Sequence, residues 1–199
     1  DELDVPGVGV FKATMINAGV PVVFVEAAAL GYDGTELQGA INEDKVALEK
    51  LGAIRAHGAV RMGLVPDVAA AAKRPLTPKV AFVAPPKDYV SSSGKPVKAA
   101  DIDLLARAMS MGKLHHAMMG TASVAIATAA AVPGTVVNAA AGGGTREVLV
   151  FGHPSGTLRV GAQAGELRRP VTARHRTEGL VVVPEESQLA HRHCPPVPN

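Results

Sequence analysis

The chain has 199 residues, enough for one domain with a substantial core or, at a stretch, two small ones. Hydrophobic residues make up 47% and charged residues 19%, which excludes a disordered chain. Aromatics reach only 3%, with no Trp, and the net charge is +2, so there is no basis for a nucleic-acid or membrane partner.

The chain begins with alternating residues from Val8 to Asn17, a break at Ala18-Gly19, and a β-branched run from Pro21 to Val25, which predicts a β-hairpin. Thr35 and Gln38 fit a capping box. Asn42, followed by acidic Glu43 and Asp44, is a second candidate N-cap. Ala47, Leu51 and Ile54 then fall on one helical face that runs to about Met62. Pro75-Leu76-Thr77-Pro78 is a linker, and residues 79–84 read as a strand ended by Pro85-Pro86. Ser91-Ser92-Ser93-Gly94-Lys95-Pro96 is a loop. Asp101 is expected to cap a short helix with Ile102, Leu105 and Met109 on one side.

An apolar helix is expected from near His115 to the terminator Val132-Pro133-Gly134. Its apolar stretch, residues 117–132, is too short for a bilayer, which needs roughly 20 strongly apolar residues. Val136-Val137, residues 147–151, 157–161 and 180–183 read as strands, with Gly142-Gly143-Gly144 as a turn between two of them. Short strands around one apolar helix indicate an α+β fold in which a curved sheet surrounds that helix. The lone cysteine, Cys194, excludes an internal disulfide framework and a CxxC zinc site, which suits a reducing, cytoplasmic setting. The acidic start Asp1-Glu2-Leu3-Asp4 is unlike a secretory signal.

Several constellations are candidates for chemistry. Lys113, His115 and His116 stand at the expected start of the apolar helix, where free N–H groups and a partial positive charge suit a carboxylate or phosphate. The same residues also read as a solvated cation and two structural histidines. The turn FGHPSGT (151–157) offers the Ser155 hydroxyl and backbone N–H groups to an anion, or is an ordinary hairpin. It is not a G-x-S-x-G elbow, since the first glycine is missing and a strand follows. Gly142-Gly143-Gly144 lacks the spacing of a dinucleotide loop. His191, His193 and Cys194 are metal-capable but lie in a Pro-rich end, so no metal site is expected. Asn17 sits where a strand breaks and serves either to cap the turn or to contact a ligand.

Taken together, the ordered blocks VPGVG (5–9), ATMINAGVP (13–21), GTEL (34–37), IRAHG (54–58), RMG (61–63), PKVAFVAP (78–85), MGKLHHAM (111–118) and FGHPSGTL (151–158) resemble the 2-methylaconitate cis-trans isomerase (PrpF) family. The resemblance covers roughly residues 3–165. It implies one half of a diaminopimelate epimerase-like two-domain fold, with a single β-barrel-like sheet wrapped around a central apolar helix. It further implies an isomerase of small unsaturated polycarboxylates that works by proton transfer without a metal or organic cofactor, as in propionate breakdown by the methylcitrate cycle. Family members are about twice this length, and their catalytic lysine and cysteine lie in the first domain, which no segment here matches. The chain is therefore expected to be the second domain, residues 1–165, followed by a divergent tail, 166–199, such as a truncated or frame-shifted gene produces.

The positions that match cleft-facing motif residues are Asn17, Lys113, His115, His116, Met118, Ser155 and Gly156. The resemblance gives them substrate binding. Lys113, His115 and His116 are the candidates here for a catalytic base. The expected partners are a small polycarboxylate and either a separate first domain or a second copy of the chain. The alternative reading is a non-catalytic, carboxylate-binding or homodimerising remnant domain.

Overall fold

The computed structural model describes residues 1–161. The expected tail, the strand at 180–183 and the His191–Cys194 cluster lie outside the described residues. Strands β1 (Glu2–Val5), β2 (Gly9–Ala18) and β3 (Val20–Glu26) form an antiparallel meander. Helices α1 (Gln38–Asn42), α2 (Lys45–Arg61) and α3 (Val68–Ala72) carry the chain back to β4 (Lys79–Ala84), which lies parallel to β3. A small ribbon, β5 (Tyr89–Val90) with β6 (Pro96–Val97), leads to β7 (Leu104–Ser110), antiparallel to β4, and β8 (Lys113–Leu114) folds back on β7. Helices α4 (Gly120–Ala131) and α5 (Val136–Ala140) then cross to β9 (Val148–His153), parallel to β7, and β10 (Gly156–Gly161) closes a hairpin with β9.

The result is a mixed α+β fold whose main sheet runs β1-β2-β3-β4-β7-β9-β10, with β8 attached to β7. The sheet is open, not the expected barrel: β1 and β10 stand at opposite edges, and no described strand joins them. Side-chain alternation divides the core into two. Val23, Val25, Phe82 and Leu105 pack with Leu51 and Ile54 of α2 on one face. Val22, Phe24, Ala81, Val83, Leu104 and Phe151 pack with α4 and α5 on the other. Helix α4 touches β2 and β3 as well as β9 and β10. Nine of its twelve residues are buried, mostly alanines, which lets helix and sheet approach closely. Among the described residues no helix is long and apolar enough to cross a membrane.

The hairpin of β2 and β3, strand β4 and the buried face of α2 follow the sequence pattern. Other elements depart from it for identifiable reasons. Residues 104–110 form a strand and not a helix capped by Asp101; all of 104–109 are buried, so the apolar run carries no usable period. Helix α4 begins at Gly120, because 113–114 are taken into β8 and 115–119 form a non-helical segment that bends at 116–117. Val136-Val137 open α5 instead of a strand: the Thr135 side chain caps the turn by accepting from Asn138 N at 2.9 Å. The triple glycine consequently follows a helix, and Gly143 N closes onto Asn138 O. Thr35 caps nothing; its N–H and hydroxyl both donate to Asp33. Asn42 ends α1, and Asp44 is the N-cap of α2, accepting from Ala47 N at 3.1 Å.

Helix α2 lies close against β3 at Gly58, where an added Cβ would stand 2.5 Å from Val23 Cγ2. Val23 is fully buried and β-branched, so its side chain has little freedom to retreat. Gly58→Ala gains about 1 kcal/mol of helix propensity but overpacks the contact by about 1–3 kcal/mol. The expected net effect is a destabilisation of about 1 kcal/mol, read as a lower urea midpoint at unchanged slope. An unchanged or raised midpoint would contradict this packing.

Candidate functional site

The 111–118 motif is built by a tight hairpin. Met111 (φ 53°) and Gly112 (φ 76°) are both left-handed, the pairing that a two-residue turn between twisted strands requires. Met111 is the one non-glycine with positive φ among the described residues, and it is exposed. The turn folds β8 onto β7, and His115 N continues the ladder to Ala108 O at 2.9 Å. Helix α1 grips the other side. Asn42 Nδ2 donates to Leu114 O at 3.2 Å, and Leu114 N donates to Asn42 Oδ1 at 2.6 Å. One turn earlier, Gln38 Nε2 donates to His116 Nδ1 at 2.6 Å.

These contacts set the histidine protons. His116 Nδ1 accepts, so in the neutral ring the proton is on Nε2. His115 Nδ1 donates to Ala117 O, which leaves its Nε2 as the free acceptor. Lys113, His115 and His116 are all exposed, on β8 and the bend that follows it and not at the start of α4. The helix-terminus anion site expected there is therefore not formed by these residues. Met118 packs on the α4 side of the sheet.

The second motif is the β9–β10 hairpin, as expected. Ser155 Oγ lies 3.2 Å from Nδ1 of His153, and Gly156 has φ 142°. His153 is only 8% exposed, and burial is the main reason its pKa lies below the ordinary histidine value. The Arg107 guanidinium and His116 lower it further, against an opposing interaction with the Thr157 backbone. The hairpin and the 113–116 segment, some forty residues apart in sequence, are linked through the entry to α1: Gln38 bonds His116, and Glu36 O accepts from Arg107, which also bonds Gly152 O. Asn17 does not clearly join them. It is exposed opposite Pro21, and alternation puts it with Met15, away from the face where Met118 packs.

Sequence reasoning missed the groups beneath the hairpin. Arg107, at the centre of β7, is 0% exposed. Its Nε donates to Glu36 O at 2.6 Å and its Nη1 to Gly152 O at 3.3 Å. The Tyr89 ring lies 5.2 Å from the guanidinium carbon, and the Tyr89 hydroxyl donates to His153 O at 2.8 Å and to Gly156 O. Burial pushes the Arg107 pKa down to about 10, so the side chain stays charged at neutral pH. A reading of 104–110 as a strand would have found it, because Arg107 is the only charged residue within that apolar run. A shallow hollow lined by Leu51, Arg55, Lys79 and Met109 contains none of the sequence-derived site residues. Among the described residues no group of three or more His, Cys, Asp or Glu gathers to hold a metal.

The model of the PrpF protein family matches residues 1–184, past the point near Glu166 where the block resemblance ends. The chain is 62% identical over 194 residues to a 2-methyl-aconitate isomerase of Shewanella oneidensis, covering 93% of this chain and 49% of that protein. It is 65% identical over 167 residues to a 2-methyl-aconitate isomerase of Cupriavidus necator, covering 84% and 42%. The fold superimposes on the crystal structure of a methylitaconate-delta-isomerase with a TM-score of 0.78 at 31% identity, covering 96% of this chain and 52% of that one. The chain thus spans about half the length of the curated relatives it matches.

Burial of His153 has a consequence for stability. Its folded pKa lies below the unfolded value of 6.5, so between the two the unfolded chain binds more protons. Stability therefore rises with pH through that window and is lost as pH falls below about 6.5. Thermal unfolding between pH 7 and 5 should show His153→Gln with a shallower decline than wild type. The difference is at most about 1.4 kcal/mol per pH unit, the limit for one proton. Identical slopes would show that His153 is protonated as freely in the fold as outside it.

Proposed function

The chain belongs to the PrpF family, and we propose that it forms the substrate-binding half of an isomerase of small unsaturated polycarboxylates such as 2-methylaconitate. The observation that carries this reading is the entry to α1, which holds both motifs: Gln38 bonds His116, and Glu36 O accepts from Arg107, whose Nη1 bonds Gly152 O beside the His153–Ser155 turn. It gathers ring nitrogens, a hydroxyl and a buried cation around one end of the sheet. Carboxylates are costly to desolvate without charge-assisted partners, and this end of the sheet supplies them.

Isomerisation by proton transfer needs a base for a hydrogen next to the double bond and an acid to return it to a different carbon. The electron pair freed by deprotonation spreads into the adjacent carboxylate, where nearby positive charge stabilises it. In this reading Ser155, Gly156 and Lys113 bind carboxylates, with Met118 against the carbon skeleton. In its neutral form His115 presents a free Nε2 suited to a base, and neutral His116 presents an Nε2–H suited to hydrogen bonding. Asn17 orients the substrate only if the ligand reaches the β2–β3 turn. The central helix of the two-domain enzyme corresponds here to α4.

The test follows deuterium exchange from solvent into 2-methylaconitate and its double-bond isomers, with the chain alone and with the first half of a relative added. Binding by the chain alone with little exchange, and exchange restored by the added half, is the expected result. Ser155→Ala should weaken binding about tenfold, the loss of one hydrogen bond to a charged group. Binding without exchange under both conditions would favour a carboxylate-binding domain with no catalytic part, and no binding at all would sink the proposal.

A further inference from the structure

Arg107 is a buried cation without a matching anion. Its side chain is 0% exposed, it is in no ion pair among the described residues, and its Nη2 has no hydrogen-bond partner. The acids that act on it are Glu36 and Asp33, on the loop before α1. Both are engaged elsewhere: the Glu36 carboxylate accepts from Asp33 N and Gly34 N, and Asp33 pairs with Lys87. The remaining titratable neighbours, Tyr89 on β5 and His153 on β9, bring no negative charge at neutral pH. A buried charge carries a large desolvation cost, and a role limited to bonding carbonyls is one that a neutral donor fills at less cost. What lies directly over Arg107 is the hairpin. Gly152 O takes its Nη1, and Tyr89, whose ring faces the guanidinium at 5.2 Å, bonds the carbonyls of His153 and Gly156. The packing is close enough that a Cβ on Gly152 would stand 2.9 Å from Tyr89 Cε1.

We propose that Arg107 is a positioning residue of the anion site: with Tyr89 it fixes the backbone of the 152–156 turn from below, and its unpaired positive charge draws a polycarboxylate to Ser155 without touching it. This inference rests on the carboxylate-binding reading of the hairpin and adds the charge that acts through it. Low dielectric and the lack of a paired acid let that charge act across the intervening backbone.

The experiment is calorimetric titration of 2-methylaconitate into the full chain between pH 6 and 8.5, comparing wild type with Arg107→Met, Arg107→Lys and Tyr89→Phe. Arg107→Met is expected to bind about tenfold more weakly at every pH, as loss of one low-dielectric charge implies. Arg107→Lys supplies the diagnostic result. A lysine buried there loses its proton in the neutral to alkaline range, so its affinity should match wild type near pH 6 and fall about tenfold by pH 8.5 relative to wild type. A purely structural role for the side chain would not produce that divergence. Wild-type affinity in Arg107→Met, or a pH-independent loss in Arg107→Lys, overturns the proposal. Should both arginine variants fail to fold, Tyr89→Phe decides: it keeps the ring and removes the bonds to His153 and Gly156, and unchanged affinity overturns the proposal while weaker binding sustains it. Wild type that fails to bind removes the carboxylate reading itself; wild type that binds while the variants match it removes this inference alone.

Discussion

Strands β3, β4 and β7 run through the middle of the sheet with helices on both faces, and that double covering governs the rest of the molecule. Each backbone group in these strands must find its partner in the ladder, and each side chain must fit a packed layer above or below. The chain meets the second demand with few large residues. Phe24, Phe82 and Phe151 fill the thick places, and alanines do the rest, in β7 as well as in α4. Helices on both faces leave polar chemistry only the strand ends and the connecting loops, where the segment after β8 and the β9–β10 turn lie.

The electrostatics of that end follow from depth. Lys113, His115 and His116 are exposed, and solvent screens them. Arg107 lies inside the layer, where screening is weak, and Tyr89 covers it. The surface groups can make short directional contacts, whereas the buried group is held away from solvent screening. The deeper charge needs rigid support, which it receives from the carbonyls of Glu36 and Gly152.

How much of this was legible in the sequence depended on whether a segment kept one face in water. The β2–β3 hairpin alternates, α2 buries one stripe, and the β9–β10 turn carries Gly and Pro, so each left a pattern. Strand β7 has no exposed face, so its residues fitted a helix on paper as well as a strand in fact. The start of α4 was misplaced because a two-residue strand, decided by the pairing of Met109 with Leu114, precedes it. The barrel expectation failed at the edges, where β1, a strand the pattern did not reveal, ends the sheet beside β2. The motifs marked the 113–116 segment and the β9–β10 hairpin, but not the entry to α1 that bonds to both sides. Gln38 and Asn42 act through hydrogen bonds that span more than seventy positions, and no local spacing encodes them.

Asn42 has a wider significance. Its side-chain amide donates to Leu114 O and accepts from Leu114 N, the two bonds that a neighbouring strand residue would make. A helix side chain thus serves as a one-residue stand-in for an absent strand. Strand β8 is bonded by β7 on one side and by this amide on the other. Its backbone is then closed to ladder formation with a second chain at Leu114, between the exposed Lys113 and His115. The histidine-bearing stretch can remain exposed without serving as a template for aggregation.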